Sequence, residues 1–326
     1  LALAYAAIFT GDEVRALYAT LLKEISEGKT DLLPDLHALT SGLKSVVTFQ
    51  VGKGIEQCRM ACGGHGYSLA SGLPQLYANQ TGGCTYEGEN MVMLQQTARY
   101  LVKCIGWAAE GKPLSAYVAY LAKRDDAKAR IAAGPGEAEV RGLLEAMEHV
   151  ARRLSHEVAA LLKKKMAGGM PYERAWHACT VELNRAARQH TRLFIARTFA
   201  KRVASSPASV RPVLGDLFSL FLHYECVDIA QHLLEDSYCT GAQIKELKSR
   251  LYEDLAKIRP NAVSLVDSFE LSDRDLNSVL GRRDGNVYDA LYEWAKKSTL
   301  NYTDVLPAVT KHMLPLMEEN RARSKI

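Results

Sequence analysis

The run Cys58-Arg-Met-Ala-Cys-Gly-Gly-His-Gly-Tyr67, followed by Cys84-Thr-Tyr-Glu-Gly-Glu-Asn90, is the part of the chain around which the rest is organised. Gly63-Gly64-His65-Gly66 reads as a helix stop, because glycine accepts positive φ and lets another backbone or a ligand come close. It is not the dinucleotide pattern G-x-G-x-x-G, since no strand precedes it and the third glycine is missing. Residues 68–84 read as a loop with one short helical turn around 73–77. A helix is expected to start near Gly88, with Met91, Leu94, Ala98, Leu101 and Ile105 as its buried stripe. Glu87 then stands at the mouth of that helix, between Tyr86 and Gly88. A carboxylate beside an aromatic ring and apolar surface loses solvation, so its pKa is expected to rise toward neutrality, which suits a general base. Gly88 removes bulk beside it, and backbone N–H groups at a helix start can hold a carbonyl oxygen or an anion. The residues alone leave a plainer reading open. Glu87 and Glu89 are also favourable acids for a first helical turn, residues 63–66 a simple stop, and His65 a side chain that pins a loop.

Working outward, residues 3–27 form a helix with Val14, Leu17, Leu21 and Ile25 on one face. Gly28-Lys-Thr30 is no phosphate loop, because the first glycine of G-x-x-x-x-G-K-[ST] would fall at Lys23. Pro34 opens a second helix with Leu36, Leu39, Leu43 and Val46 inward, and Ile55, Cys58 and Cys62 continue a face near its end. Residues 122–137 are polar and then rich in glycine and proline, the composition of a domain boundary. One helix is expected over 138–166, where Lys163-Lys-Lys165 complements the dipole at its end. A long helix follows from Pro171 to about Ala204, with Trp176, Cys179, Leu183, Ala186 and Leu193 on its buried face. His190 shares that face and reads as a packed core histidine. Shorter helices are expected at about 208–235, 240–257, 260–268, 286–297 and 303–318. The fold class is all-α: an incomplete helical bundle over 1–121, a linker over 122–137, and a second helical domain over 138–326.

The bulk numbers exclude several classes. A net charge of +4 over 326 residues, with basic and acidic residues interspersed, argues against nucleic acid as partner. No apolar run is long enough for a membrane span. The seven cysteines include no C-x-x-C pair, so neither a metal site nor a disulfide framework is expected, and the thiols read as free. The start, Leu1-Ala-Leu-Ala-Tyr-Ala-Ala-Ile8, has neither an initiator Met nor a basic leader and reads as the middle of an amphipathic helix. The end, Ser324-Lys325-Ile326, is close to the S-K-L peroxisomal address.

The string Arg59-Met-Ala-Cys-Gly-Gly-His-Gly-Tyr67, with Ser71-Gly-Leu-Pro74, Thr85-Tyr-Glu-Gly-Glu-Asn90 and Gln96-Thr-Ala-Arg99, closely resembles peroxisomal acyl-CoA oxidases. So do Leu36-His-Ala-Leu-Thr40, Thr240-Gly-Ala-Gln243, Arg259-Pro-Asn-Ala-Val263 and Asp284-Gly-Asn-Val-Tyr288, so the resemblance covers essentially the whole chain. It implies an acyl-CoA dehydrogenase-like helical bundle and an FAD-dependent oxidation of fatty acyl-CoA to trans-2-enoyl-CoA, with O2 reduced to hydrogen peroxide. By match, Glu87 is the base that takes the α-proton, Tyr86 and Gly88 touch substrate, and Cys62, Gly63, Gly64 and Asn90 lie near FAD, the first three near that of a neighbouring subunit. Ser324, Lys325 and Ile326 match the address read by the peroxisomal import receptor. A dimer, homo- or heteromeric, is then the smallest working unit. The resemblance also implies that an N-terminal half carrying most FAD and acyl-CoA contacts is not part of this chain. The alternatives are a dehydrogenase that hands electrons to a flavoprotein, and a non-catalytic helical subunit that pairs with a complete oxidase.

Overall fold

The computed structural model describes residues 1–123 and 136–324, and all regular structure among the described residues is helical. Most of the expected linker, and Lys325 and Ile326 of the terminal tripeptide, lie outside the described residues. The α-helices are α1 (Ala2–Ser26), α2 (Leu33–Ala61), α3 (Gly63–Tyr67), α4 (Leu73–Gly82), α5 (Asn90–Ala109), α6 (Glu137–Ala167), α7 (Tyr172–His177) and α8 (Thr180–Ser205). They continue as α9 (Arg211–Asp228), α10 (Ala230–Glu235), α11 (Gly241–Ile258), α12 (Ala262–Asp267), α13 (Asp273–Leu276), α14 (Val287–Lys296) and α15 (Leu314–Arg323).

The chain forms two compact units, and the cut differs from the one expected near 122–137. Unit 1 comprises Leu1–Gly54 and Asn79–Phe269, and unit 2 comprises Ile55–Ala78 and Glu270–Ile326. The reason is the packing of α8. Its buried residues, Leu183, Ala186, Ala187, Leu193, Ile195, Ala196 and Phe199, spread round the helix rather than along one stripe. A helix buried on most sides is a core helix, and α8 packs against α1, α5, α6 and α9 at once. The helices on both sides of the expected boundary therefore share one hydrophobic core. Leu94, Leu143, Leu183 and Leu217 are fully enclosed in it, and each such leucine contributes about 1.5–3 kcal/mol by leaving water. Where α2 meets α8 the approach is close, and a Cβ on Gly42 would lie 2.2 Å from Thr191 Oγ1. Buried Asp35 ties α2 to α5 and the following segment by accepting hydrogen bonds from Tyr100 Oη (2.8 Å) and Ser115 Oγ (2.7 Å).

Several expectations shift in detail. Ile25, Cys58 and Cys62 are exposed, while Tyr5, Phe9 and Leu21 carry the buried face of α1. The helix expected from Pro171 is broken at Ala178 and Cys179 into α7 and α8, and the one expected over 208–235 is broken at Ile229. The segment 68–84 is mostly helix rather than loop, because Gly72 (φ +73°) ends a short 3-10 turn and Leu73–Gly82 then runs as α4. His190 is a core residue as expected. Its Nδ1 lies 3.1 Å from Tyr120 Oη, and burial pushes its pKa down to about 4, which leaves it neutral.

A second histidine behaves oppositely. His223 on α9 is buried with Nδ1 2.8 Å from Asp254 Oδ2 on α11 and Nε2 3.4 Å from Glu139 Oε1 on α6. Arg250 Nε stands 3.9 Å from the same Glu139 oxygen. Desolvation lowers the His223 pKa, but the hydrogen bond and charge of Asp254, with those of Glu139, outweigh it and the net shift is upward. A folded pKa above the unfolded one adds stability that is present below the unfolded pKa and disappears as pH rises through the folded pKa. Wild type is therefore expected to gain stability over His223→Gln as pH falls from about 8 to 6, around the model histidine value. Urea melts at several pH values measure the difference, and a pH-independent gap contradicts the arrangement.

Unit 2 is lightly packed. Its strand-free segments meet where the Val279 N–H donates to the Ala70 carbonyl at 2.9 Å. A Cβ on Gly72 would come 3.1 Å from the Asn277 carbonyl oxygen. Helix α14 carries no buried residue, and Tyr288 and Tyr292 stand exposed on it.

Candidate functional site

The predicted site residues fall in both units: Tyr86, Glu87, Gly88 and Asn90 in unit 1, Cys62, Gly63 and Gly64 in unit 2. In unit 1, α4 ends at Gly82 and the chain winds through hydrogen-bonded turns. Thr85 N–H donates to Gly82 O (2.9 Å) and Asn90 N–H to Cys84 O (3.1 Å). The Tyr86 ring lies over Gly82, where a Cβ would be 2.8 Å from the ring.

Glu87 sits at φ +56° and Gly88 at φ +97°, so two successive residues are left-handed. Such a conformation costs a non-glycine residue about 1–2 kcal/mol, and it persists only where neighbours enforce it. Here they do. Lys44 Nζ on α2 donates to the Gly88 carbonyl and to Asn90 Oδ1, the latter at 2.9 Å. The Asn90 amide donates to Ser45 O (3.2 Å) and Thr48 Oγ1 (3.0 Å). Gln80 Nε2 reaches Thr48 O at 3.2 Å from the other side of the turn. Asn90, expected near the cofactor, is thus buried and occupied in anchoring the turn. Lys44, Ser45 and Thr48, on one face of α2, were not foreseen; the signal was polar residues at i, i+1 and i+4 beside the apolar stripe of Leu39, Leu43 and Val46.

The start of α5 also differs from expectation. The helix begins at Asn90, and Glu89 is its N-cap, accepting from Met91 N (2.8 Å) and Val92 N (3.2 Å). Of the two glutamates, Glu89 therefore does the structural work of a first-turn acid. Glu87 does not enter the helix and its side chain is exposed. The apolar enclosure expected around it is not supplied by the described residues of this chain. Gly88 takes a φ of +97° that L side chains rarely adopt, and a Cβ there would also lie 2.5 Å from Sδ of the flexible Met93 side chain. Gly88→Ala is expected to destabilise the chain by about 1–3 kcal/mol through overpacking and backbone strain, read by chemical denaturation; an unchanged midpoint counts against the constraint.

In unit 2, α2 ends at Ala61 and α3 begins at once after Cys62, so the glycine stop is a reversal rather than a termination. Gly63 makes the turn at φ +58°. Gly66 is held against the end of α2, where a Cβ would meet the Arg59 carbonyl oxygen at 1.9 Å. Cys62, Gly63, Gly64 and His65 are exposed, and a Cβ on Gly63 or Gly64 would meet nothing within 4 Å. This bare corner leaves backbone open to a ligand. No cluster of three or more His, Cys, Asp or Glu among the described residues is placed to hold a metal, and no described helix is long and apolar enough to cross a membrane.

Comparison with known proteins adds family membership to this geometry. The family model described as acyl-CoA oxidase, C-alpha1 domain, matches residues 1–102, and that described as acyl-CoA oxidase matches residues 139–318. Acyl-coenzyme A oxidase acox-1.4 of Caenorhabditis elegans is 51% identical over 322 residues, which is 98% of this chain and 47% of the relative. Peroxisomal acyl-coenzyme A oxidase 1 of Rattus norvegicus is 40% identical over 326 residues, 98% of this chain and 49% of the relative. The crystal structure of acyl-CoA oxidase-1 of Caenorhabditis elegans complexed with FAD and ATP superposes with TM-score 0.93 at 49% identity, covering 98% of this chain and 48% of that one. That of acyl-CoA oxidase-2 of the same organism, bound with FAD, ascaroside-CoA and ATP, gives TM-score 0.92 at 48% identity, covering 98% and 47%. The chain spans about half the length of the curated relatives it matches. With the matched models and the superposed helical structures in agreement over nearly its whole length, the chain belongs to the acyl-CoA oxidase family.

Proposed function

We propose that this chain is the half of a peroxisomal acyl-CoA oxidase that carries the catalytic base, and that the whole protein converts a fatty acyl-CoA to the trans-2-enoyl-CoA with O2 taken to hydrogen peroxide, the first step of peroxisomal fatty-acid β-oxidation. The observation that carries the reading is the left-handed Glu87, exposed on a turn that Lys44 and Asn90 hold rigid. A base that removes a weakly acidic α-proton must be positioned before the substrate arrives. A pinned backbone with a free carboxylate meets that need. Glu87 takes the proton, and its own N–H holds the thioester oxygen, where negative charge develops. Gly88, bare by necessity, lets the flat thioester lie against the backbone, and Tyr86 borders it. The missing enclosure of Glu87 comes from the acyl chain and from protein outside this chain, which exclude water from the reacting atoms.

Bound FAD would supply the acceptor for the β-hydrogen, which leaves as hydride. The open corner Cys62-Gly63-Gly64 fits a flavin nucleotide of a second subunit, since nothing fills the space over either glycine. Asn90 acts on the site through the turn it anchors. The peroxisomal setting is supported by the names of the mammalian relatives.

A chimera in which this chain replaces the matching half of a full-length relative tests the proposal. The expected product is a flavin-loaded protein that releases peroxide and enoyl-CoA in equal amounts from a fatty acyl-CoA. Enoyl-CoA formed only with an added flavoprotein acceptor points to a dehydrogenase. A flavin-loaded chimera without either product favours a non-catalytic role.

A further inference from the structure

Within unit 1, α1, the C-terminal end of α8, the start of α9 and α12 border an open cavity of about 540 Å³. That volume falls in the roughly 300–1,000 Å³ range of small-molecule sites. Tyr5, Phe9, Val213, Leu214 and Leu265 give it apolar walls. The walls are tied to one another. Tyr5 Oη donates to Leu265 O at 2.9 Å and meets Ser268 Oγ at 2.6 Å, which fixes α1 to α12. Phe9 packs edge-on against Tyr5 and Phe199, with ring centres 5.7 and 5.3 Å apart.

The lining holds a single charge, Arg202, and no carboxylate. The guanidinium carbon lies 5.4 Å from the centre of the Phe9 ring. No Asp or Glu pairs with it among the described residues, whereas the neighbouring Lys201 is paired to Glu13. An arginine stacked on an aromatic wall, without a counter-ion, presents its N–H fork to an incoming anion. The carbonyls at the end of α8 would oppose an anion, but two at that end are occupied. The Arg202 carbonyl accepts from Ser205 Oγ (3.1 Å) and Ser206 Oγ (2.7 Å), and the Ser206 carbonyl accepts from Arg211 Nη2 at 2.7 Å.

We propose that this cavity binds a free long-chain carboxylate, a fatty acid, with its tail between α1 and α12 and its head on Arg202. One guanidinium and a mostly apolar volume match one negative charge on an aliphatic body. They do not match a nucleotide, whose several phosphates need more than one cation. None of the residues assigned to the base or to the flavin lines the cavity, so the inference stands or falls independently of the proposed oxidation.

Calorimetric titration of this chain with saturated carboxylates of roughly eight to fourteen carbons, and with alcohols of the same lengths, tests it. The acid is expected to bind about tenfold or more tightly than its alcohol, the discrimination of a charged hydrogen bond. Arg202→Gln, at an exposed position, is expected to remove that preference while leaving alcohol binding unchanged. Ser264→Trp, also exposed and on the lining, is expected to abolish binding of both, with melting curves confirming that each variant folds. The proposal is overturned if wild type binds neither ligand, if acid and alcohol bind equally, if Arg202→Gln keeps the preference for the acid, or if Ser264→Trp binds as wild type. Binding of ATP that is lost in Arg202→Gln, without binding of the acid, also overturns it.

Discussion

Glu87→Gln in the chimeric full-length protein is expected to lower enoyl-CoA formation by about 10²–10⁴-fold, the range of a general base, while flavin content stays unchanged. Gln keeps the size of the side chain, the left-handed backbone and the Glu87 N–H, so the thioester oxygen is still held and substrate affinity is expected to change little. The loss should appear in kcat rather than in KM, as when a transition-state interaction alone is removed. Glu89→Gln is the control. Its carboxylate accepts two backbone N–H groups at the start of α5, so this variant is expected to lose about 0.5–1 kcal/mol of stability and to keep its turnover. The opposite pattern, with Glu89→Gln inactive and Glu87→Gln active, would reassign the base.

The largest stability effect is expected at Arg192 in the middle of α8. Its Nε donates to Glu225 Oε2 and its Nη1 lies 2.9 Å from Asp228 Oδ2, with Arg192 and Glu225 both buried. Glu225 Oε1 has no hydrogen-bond partner among the described residues. Arg192→Met therefore strands a buried carboxylate, an effect of about 3–5 kcal/mol. Pairing it with Glu225→Met removes the stranded charge along with its partner, and most of that stability is expected to return. Asp228 is over half exposed and keeps its water in either variant. Urea denaturation of the two single variants and the double variant reads the cycle. If the double variant is as unstable as the first single one, burial of the charge is not the cause.

The helical class and most helix positions were legible because the apolar spacing is regular. Leu36, Leu39, Leu43 and Val46 are buried as that spacing predicts. The division of the core was not legible. α8 reads as one amphipathic helix among several, and only contacts with elements far away in sequence reveal that it is enclosed on most sides. The identity of the site was carried by short strings, but its mechanics were not. Tyr-Glu-Gly-Glu-Asn alone does not separate a capping glutamate from a left-handed one, since both sit beside glycine and near a helix start. The choice depends on Lys44 and Thr48, about forty residues upstream. The anchoring role of Asn90 was hidden for the same reason: the atoms that occupy its amide come from α2. The shielding of Glu87 was out of reach in a different sense, because no described residue of this chain provides it.

The bond from Tyr5 to the Leu265 carbonyl joins residues 260 apart. A ribosome adding about 5–20 residues per second releases the second partner about 13–50 s after the first. For about the first three quarters of that interval the inward face of α1, with Phe9 and Leu21, has no α8 to lie against, and α12 comes later still. The nascent chain therefore carries a sticky amphipathic segment through most of its synthesis, a natural client for holdase chaperones. Slowed translation between the codons for α1 and α8 should lower the soluble yield more than an equal pause placed after α12.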